Sequence, residues 1–271
     1  MEQTAGAPGS WADGNRYESY VGRWSRPVAR QFVTQLRVPA GRRWLDVGCG
    51  TGALTGAVLA GAAPAAVLGA DASPELVRHA IAHVRDPRAS FRTADARDIP
   101  VAGASFDAVV SGLVLNFLPD QPAAVTEWRR VTAPGGLVAA YVWDYAEGME
   151  LIRRFWDVAV RRDPAACVLH EGTRFPACAP GPLHELFSGA GLEEVVTGSI
   201  EVPTTFTGFD DFWSPFLGGT GPAPAYVAAL ADGDRMALRN ALRAGLPVQD
   251  DGSIRLSARA WTVRGRVPAD R

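Results

Sequence analysis

With 271 residues, 47% hydrophobic content and a formal net charge of −2, the chain can bury a substantial core and is not a disordered polyelectrolyte. Its 27 basic residues are all Arg, since no Lys occurs anywhere; this excludes P-loop phosphate binding and Schiff-base or pyridoxal chemistry, which need a Lys amine. Cys49, Cys167 and Cys178 are an odd number without close ligand spacing, which speaks against a disulfide scaffold or a zinc site.

No segment reaches the roughly 18 to 20 uninterrupted apolar residues of a membrane span. The first ten residues lack the basic-then-apolar layout of a signal peptide. A cytoplasmic location is therefore expected. The arginines are scattered among acidic residues instead of forming a stripe, so no nucleic-acid partner is expected.

Taken in chain order, a polar arm leads into a helix over Pro27–Leu36, with Val28, Ala29, Phe32, Val33 and Leu36 at helical spacing. Arg42–Val47 reads as a strand, the glycines to Gly52 as a turn, and the stretch from Ala53 as a helix. Strand two at Ala66–Ala70, a helix at Pro74–Val84, strand three at Ser90–Thr93 and strand four at Phe106–Leu115 continue the alternation. A helix at Pro122–Val131 ends before Pro134-Gly135-Gly136, and Leu137–Trp143 forms strand five.

Past Asp144 the pattern loosens. Met149–Val160 reads as a helix, Arg161–Pro182 is rich in turn residues, Leu183–Ala190 is a helix closed by Gly191, and Glu193–Val202 is strand six. A Gly/Pro-broken stretch then carries helical pieces at Asp210–Phe216, Ala225–Ala231 and Arg235–Leu242 before a last strand at Leu256–Arg264.

Such alternation predicts an α/β fold of the Rossmann-like kind: a seven-stranded, mostly parallel sheet covered by helices on both faces, with a helical cap inserted before the last strand. The expected divisions are an N-terminal arm and helix over 1–40, a nucleotide-binding core over 41–202 with a cap segment near 145–182, a helical insertion over 203–255, and the last core strand over 256–271. Ligands bind such sheets at the carboxyl ends of the strands.

The turn Asp46-Val47-Gly48-Cys49-Gly50-Thr51-Gly52 lets the backbone pass close to a ligand and aims helix amides at it. Its spacing departs from the G-x-G-x-x-G of dinucleotide binders. Asp46, two residues before the first glycine, would attract a cation such as an ammonium and repel a pyrophosphate. Asp71, after strand two, can accept from ribose hydroxyls, although capping the helix that follows Ser73 is a competing role. Asp95-Ala96, after strand three, offers a carboxylate and an amide to an adenine edge.

On these residues, together with the Phe106-Asp107 strand and the Pro134-Gly135-Gly136 turn, the chain resembles the class I S-adenosylmethionine-dependent methyltransferases of the small-molecule, ubiquinone-biosynthesis-like bacterial type. The match covers Arg42–Trp143. The resemblance implies S-adenosylmethionine as cofactor, with Gly48 and Gly50 at its methionine moiety, Asp71 and Ala72 at its ribose and Asp95 and Ala96 at its adenine. Ser111, Gly112 and Leu113 would present carbonyls to the ammonium and the sulfonium side. The stretch Tyr17–Arg26 resembles an arm that closes over the cofactor, which places Tyr20, Arg23 and Arg26 there.

Methyl transfer from a sulfonium is an in-line displacement that requires alignment and exclusion of water more than a base, so no catalytic residue is assigned. Asp144, His170 and Glu171 are candidates if a proton must be removed. Asn116, Trp143, Glu171 and Arg174 are the expected substrate-pocket residues, although an ion pair between Glu171 and Arg174 is the plainer reading of those two. His79 and His83 stand at metal-like spacing, but the stripe of Leu76, Val77, Ala80, Ile81 and Val84 turns them outward, and no metal is expected. The expected activity is methylation of a small organic acceptor by a monomer or homodimer. A cofactor binder that does not methylate and, less favoured, an NAD-dependent oxidoreductase are the alternatives.

Overall fold

The computed structural model describes residues 22–218 and 221–269. Seven strands form one sheet in the order β3-β2-β1-β4-β5-β7-β6, from β1 (Arg43–Val47), β2 (Ala66–Asp71), β3 (Ala89–Thr93), β4 (Phe106–Gly112), β5 (Thr132–Trp143), β6 (Glu193–Phe206) and β7 (Ile254–Arg266). The pairs β1–β2, β2–β3, β1–β4 and β4–β5 are parallel, and β7 runs antiparallel to β5. The central strands are apolar almost throughout because both faces are covered: Trp44, Leu45, Val47, Ala108, Val109 and Val110 are all buried.

The chain moves outward from β1 through β2 to β3, then returns to place β4 on the other side of β1. That reversal makes the carboxyl ends of β1 and β4 the topological switch point, where a doubly wound sheet opens a crevice for a ligand. The helices of this region are α1 (Arg23–Leu36), α2 (Ala53–Gly61), α3 (Pro74–His83) and α4 (Gln121–Val131). Helix α1 lays Phe32 on Tyr141 of β5, ring centroids 4.7 Å apart.

Two compact units divide the chain. One comprises Ser25–Trp143, Ala177–Ile200 and Arg259–Arg271, and holds the parallel strands together with α7 (Pro180–Gly189). The other comprises, of the described residues, 22–24, 144–176, 201–218 and 221–258. Its helices are α5 (Glu150–Arg162), the short α6 (Glu171–Arg174), α8 (Phe209–Trp213), α9 (Pro222–Ala229) and α10 (Asp232–Gly245). Its interior is aromatic: Phe155 stacks on Phe216 at 4.5 Å, Phe212 meets Phe206 edge-on at 5.3 Å, and Trp24 meets Phe206 at 5.4 Å. Such pairs add about 0.5–1.5 kcal/mol each beyond the area they bury.

The element order matches the expected alternation, and the boundaries differ for local reasons. Strand β4 ends at Gly112 rather than Leu115, because Leu113 takes a left-handed backbone (φ +63) and the chain turns into a 3₁₀ turn at Leu115–Phe117. Strand β5 begins at Thr132, with a register shift opposite Phe106–Ala108 that accommodates Pro134-Gly135-Gly136 inside the strand instead of before it. Strands β6 and β7 run longer than expected, to Phe206 and from Ile254. Residues 161–182, expected as turns, fold into a 3₁₀ turn (Pro164–Leu169) and α6, followed by the first residues of α7.

Candidate functional site

Three left-handed glycines carry the chain from β1 into α2: Gly48 (φ +71), Gly50 (φ +51) and Gly52 (φ +91). A Cβ on Gly48 would lie 2.5 Å from the Val114 side chain, so this position admits no larger residue without displacement. A Cβ on Gly50 would meet nothing within 4 Å. The backbone at Gly50 is thus open, which is the property a close-lying ligand requires.

Asp71 ties this turn to the next. Its Oδ2 accepts from the Gly50 amide at 2.9 Å, and its Oδ1 accepts from the Ser73 amide at 2.9 Å. Ser73 itself caps α3, so Asp71 organises the helix entry without being its cap. Both the ribose role and the structural role start from the same placement, at the carboxyl end of β2 and facing the glycine turn. Ala72 lies between these two contacts.

Asp46 is 1% exposed. The hydroxyl of Thr55, in the first turn of α2, donates to its Oδ2 at 2.6 Å, while Oδ1 has no partner among the described residues. Burial pushes this carboxyl up to about 7; the Thr55 bonds oppose the shift and the neighbouring Asp71 charge adds to it. A buried carboxyl with an unfilled oxygen accepts a donor or a cation. Burial also pushes the Cys49 thiol far up, with help from the Asp46 and Asp71 charges, so Cys49 is an inert packing residue and not a nucleophile.

Asp95 is exposed and engaged by Arg97, which reaches it through Nε (3.0 Å), Nη2 (2.7 Å) and its own amide (2.8 Å). These bonds hold its carboxyl down at about 2. The Ala96 carbonyl accepts from Trp128 Nε1 at 3.0 Å. Glu127 accepts from the Ile99 amide at 2.8 Å, and Arg130 pairs with Glu127 while donating to the carbonyls of Ile99 and Val101. Helix α4 therefore clamps the loop that carries Asp95 and Ala96. Sequence reasoning missed Glu127, Trp128 and Arg130, although Glu127 and Arg130 stand at the i,i+3 spacing of a helical ion pair.

At the end of β4, Ser111 Oγ donates to the Val47 carbonyl at 2.8 Å, which locks β4 to β1 beside the glycine turn. A Cβ on Gly112 would lie 2.5 Å from the Tyr141 hydroxyl, and the Leu113 amide donates to the Tyr141 carbonyl at 2.8 Å. Asn116 and Trp143 belong to the same unit as all of these residues.

Tyr20 lies outside the described residues. Arg23 pairs with Asp211 at 3.1 Å and lies over the rings of Trp24 and Phe206, within the second unit, whereas Arg26 is exposed on α1. Glu171 and Arg174 are also in the second unit. Glu171 is buried and bonded to Trp156 Nε1, and burial pushes it up to about 7. Arg174 lies over the Phe175 ring, and its charge partly offsets the upward push on Glu171. His170 accepts from the Gly172 amide through Nδ1, and burial lowers its basicity. His79 and His83 stack on each other on α3, and no group of three or more ligating side chains occurs among the described residues.

Comparison with known proteins places this arrangement. Residues 45–140 match the family described as a methyltransferase domain. The chain is 34% identical over 111 residues to malonyl-[acyl-carrier protein] O-methyltransferase of Hahella chejuensis, covering 41% of this chain and 40% of that protein. It is 30% identical over 176 residues to ubiquinone biosynthesis O-methyltransferase of Cereibacter sphaeroides, covering 62% of this chain and 68% of that protein. For several curated relatives the match spans less than half of their length, as the Hahella protein and a Streptomyces halstedii methyltransferase at 48% illustrate.

The fold is shared with phosphoethanolamine N-methyltransferase 2 of Haemonchus contortus, solved in complex with S-adenosyl-L-methionine, at a TM-score of 0.58 and 15% identity over 97% of this chain and 59% of that one. No helix among the described residues is long and apolar enough to cross a membrane. By its sheet order, its glycine turn and these relatives, the chain belongs to the class I S-adenosylmethionine-dependent methyltransferases.

Proposed function

We propose that the chain methylates a small organic molecule, taking the methyl group from S-adenosylmethionine. The observation that carries this reading is Asp46: a buried carboxyl with one oxygen unpartnered, directly before an open, left-handed glycine turn whose far side is pinned by Asp71. A dinucleotide's pyrophosphate would be repelled by that carboxyl, whereas the ammonium of an amino acid moiety would fill it. The residues present therefore fit the cofactor.

In this reading Asp46 and the backbone of Gly48 and Gly50 hold the methionine end, Asp71 with Ala72 the ribose, and Asp95 with Ala96 the adenine. Ser111, Gly112 and Leu113 present carbonyls to the ammonium and to the sulfonium side. The bound cofactor supplies an electrophilic methyl on a sulfonium. The protein's own part is to fix both reactants in line and to keep water away from them. Tyr20, Arg23 and Arg26 as an arm over the cofactor, a cytoplasmic location and a monomeric or homodimeric state belong to the same proposal. One relative is named for a malonyl group on an acyl-carrier protein and another for ubiquinone biosynthesis, which supports an organic acceptor here.

Isothermal calorimetry with S-adenosylmethionine and S-adenosylhomocysteine tests the cofactor assignment, with Asp71→Ala as the variant expected to lose binding. Unchanged affinity in Asp71→Ala overturns the ribose assignment. Formation of S-adenosylhomocysteine over a panel of hydroxyl, amine and thiol acceptors tests the reaction. Tight cofactor binding without turnover on any acceptor would favour a non-methylating binder.

A further inference from the structure

Two polar groups at the carboxyl edge of the sheet are buried without partners among the described residues. Asn116, in the 3₁₀ turn after β4, is 8% exposed, and neither its Oδ1 nor its Nδ2 makes a hydrogen bond. Trp143, the last residue of β5, is 1% exposed, and its Nε1 donates to nothing. Strands β4 and β5 are parallel neighbours with Gly112 opposite Tyr141, so both residues lie just past the same register line, at the same end of adjacent strands.

The backbone is strained to produce this arrangement. Leu113, not a glycine, adopts φ +63 and turns the chain off β4 into the segment that buries Asn116. Left-handed backbone at a branched residue is tolerated where the surroundings over-determine it, and such strain gathers at ligand sites. A buried amide with no partner forfeits its hydrogen bonds to water and gains none in return. Other described side chains leave single atoms unmet, such as Trp44 Nε1 and Thr204 Oγ1; Asn116 alone among the described residues leaves two side-chain atoms unmet, one a donor and the other an acceptor. A leucine there would serve the fold better.

We infer that Asn116 and Trp143 form the binding subsite for the methyl acceptor, and that the acceptor is a neutral molecule carrying a hydroxyl beside a second oxygen. This rests on the methyltransferase reading above. Asn116 Oδ1 accepts the acceptor's O–H, while Asn116 Nδ2 and Trp143 Nε1 donate to oxygen lone pairs. Neither side chain is charged, so neither compensates a buried ammonium or carboxylate on the acceptor, and the pair favours a neutral group over both.

The test uses methyl 3,4-dihydroxybenzoate as probe, with methyl 3,4-dimethoxybenzoate and methyl 3,4-diaminobenzoate as controls. Calorimetry on the protein saturated with S-adenosylhomocysteine reads probe binding, and S-adenosylhomocysteine formation reads turnover. The dihydroxy compound should bind and turn over, and the dimethoxy compound should bind at least tenfold more weakly. Asn116→Leu should weaken probe binding at least tenfold while keeping the melting temperature and holding cofactor affinity within twofold. Trp143→Phe, which removes only the N–H, should weaken it severalfold.

The inference fails if the dihydroxy probe does not bind the loaded protein, or if the diamino probe binds as well as it does. It also fails if both variants leave probe affinity within twofold. Loss of cofactor affinity in step with probe affinity in Asn116→Leu would assign Asn116 to the cofactor instead. Failure of the wild-type protein to bind S-adenosylmethionine would overturn the methyltransferase reading as well.

Discussion

The hydroxyl of Thr55 donates to Asp46 Oδ2 at 2.6 Å and leaves Asp46 Oδ1 buried and unpartnered beside the glycine turn. Burial raises the folded-state carboxyl from 3.8 to about 7, so between those values the folded protein binds a proton that the unfolded chain releases. Stability without ligand then falls as pH rises from about 4 to 7 and is flat above, by at most about 4 kcal/mol. Asp46→Asn should make the fall in melting temperature between pH 5 and pH 8 shallower, leaving the share that Glu171 contributes.

Cofactor binding should show the opposite sign. An ammonium stabilises the ionised carboxylate, so affinity for S-adenosylmethionine should increase through pH 7 and level off above it. Asp46→Asn should weaken binding tenfold or more, about 1.5–3 kcal/mol for a lost charge-assisted hydrogen bond, and should abolish the pH dependence. A variant with wild-type affinity and an unchanged pH profile would remove Asp46 from the cofactor site.

Gly48 tests whether the turn's shape is sterically fixed. Gly48→Ala places a Cβ 2.5 Å from Val114 on a backbone at φ +71, so overpacking and left-handed strain add to about 2–4 kcal/mol. The melting temperature should drop by at least about 5 °C. Val114→Ala added to Gly48→Ala removes the two methyl contacts at 2.5 and 2.6 Å but keeps the Val114 Cβ at 2.9 Å, so the double variant should regain only part of the loss and lie between the single one and wild type.

Much of the core was legible because it depends on local pattern. Apolar strands broken by glycine turns and helical stripes specify alternating elements, and carboxylates at Asp46, Asp71 and Asp95 mark the strand ends whatever the tertiary detail. What the sequence concealed were groups whose meaning arises only across distance. Thr55 reaches Asp46 from the next helix, α4 clamps the Asp95 loop from 30 residues further on, and Arg23 is taken up by Asp211, 188 positions away. Glu171 and Arg174 make no close ion pair for the same reason: Trp156 supplies the hydrogen bond to Glu171 from α5, and the guanidinium lies over Phe175 and acts on Glu171 through its charge alone.

Glu171 offers a spectroscopic check. Burial lifts its carboxyl from 4.5 to about 7, and Trp156 Nε1 donates to it, so the indole senses its ionisation. Tryptophan emission should titrate near pH 7, and the difference spectrum should lose that component in Glu171→Gln, which keeps an acceptor for Trp156. Glu171→Ala leaves the buried indole donor unmet and should cost about 1–3 kcal/mol. In wild type this group also lowers stability as pH rises from about 4.5 to 7, because the folded state holds the proton longer than the unfolded chain does.

The clamp on the adenine-side loop makes the last prediction. Burial pushes Glu127 up, but Arg130 and the Ile99 amide outweigh it and hold the carboxyl below its usual range. Its contribution is therefore present at neutral pH and is lost as pH falls through the folded value, below about 4.5. Arg130→Ala leaves the carboxylate half-compensated and removes two bonds to the carbonyls of Ile99 and Val101. Urea unfolding at pH 7 should show a loss of about 1–3 kcal/mol, discounted from the fully buried case because the guanidinium is partly exposed. Glu127→Gln added to Arg130→Ala should recover part of that loss, since no unpaired charge remains. If the loop carries adenine through Asp95 and Ala96, Arg130→Ala should also weaken S-adenosylmethionine binding; wild-type affinity in a destabilised variant would confine the clamp to folding alone.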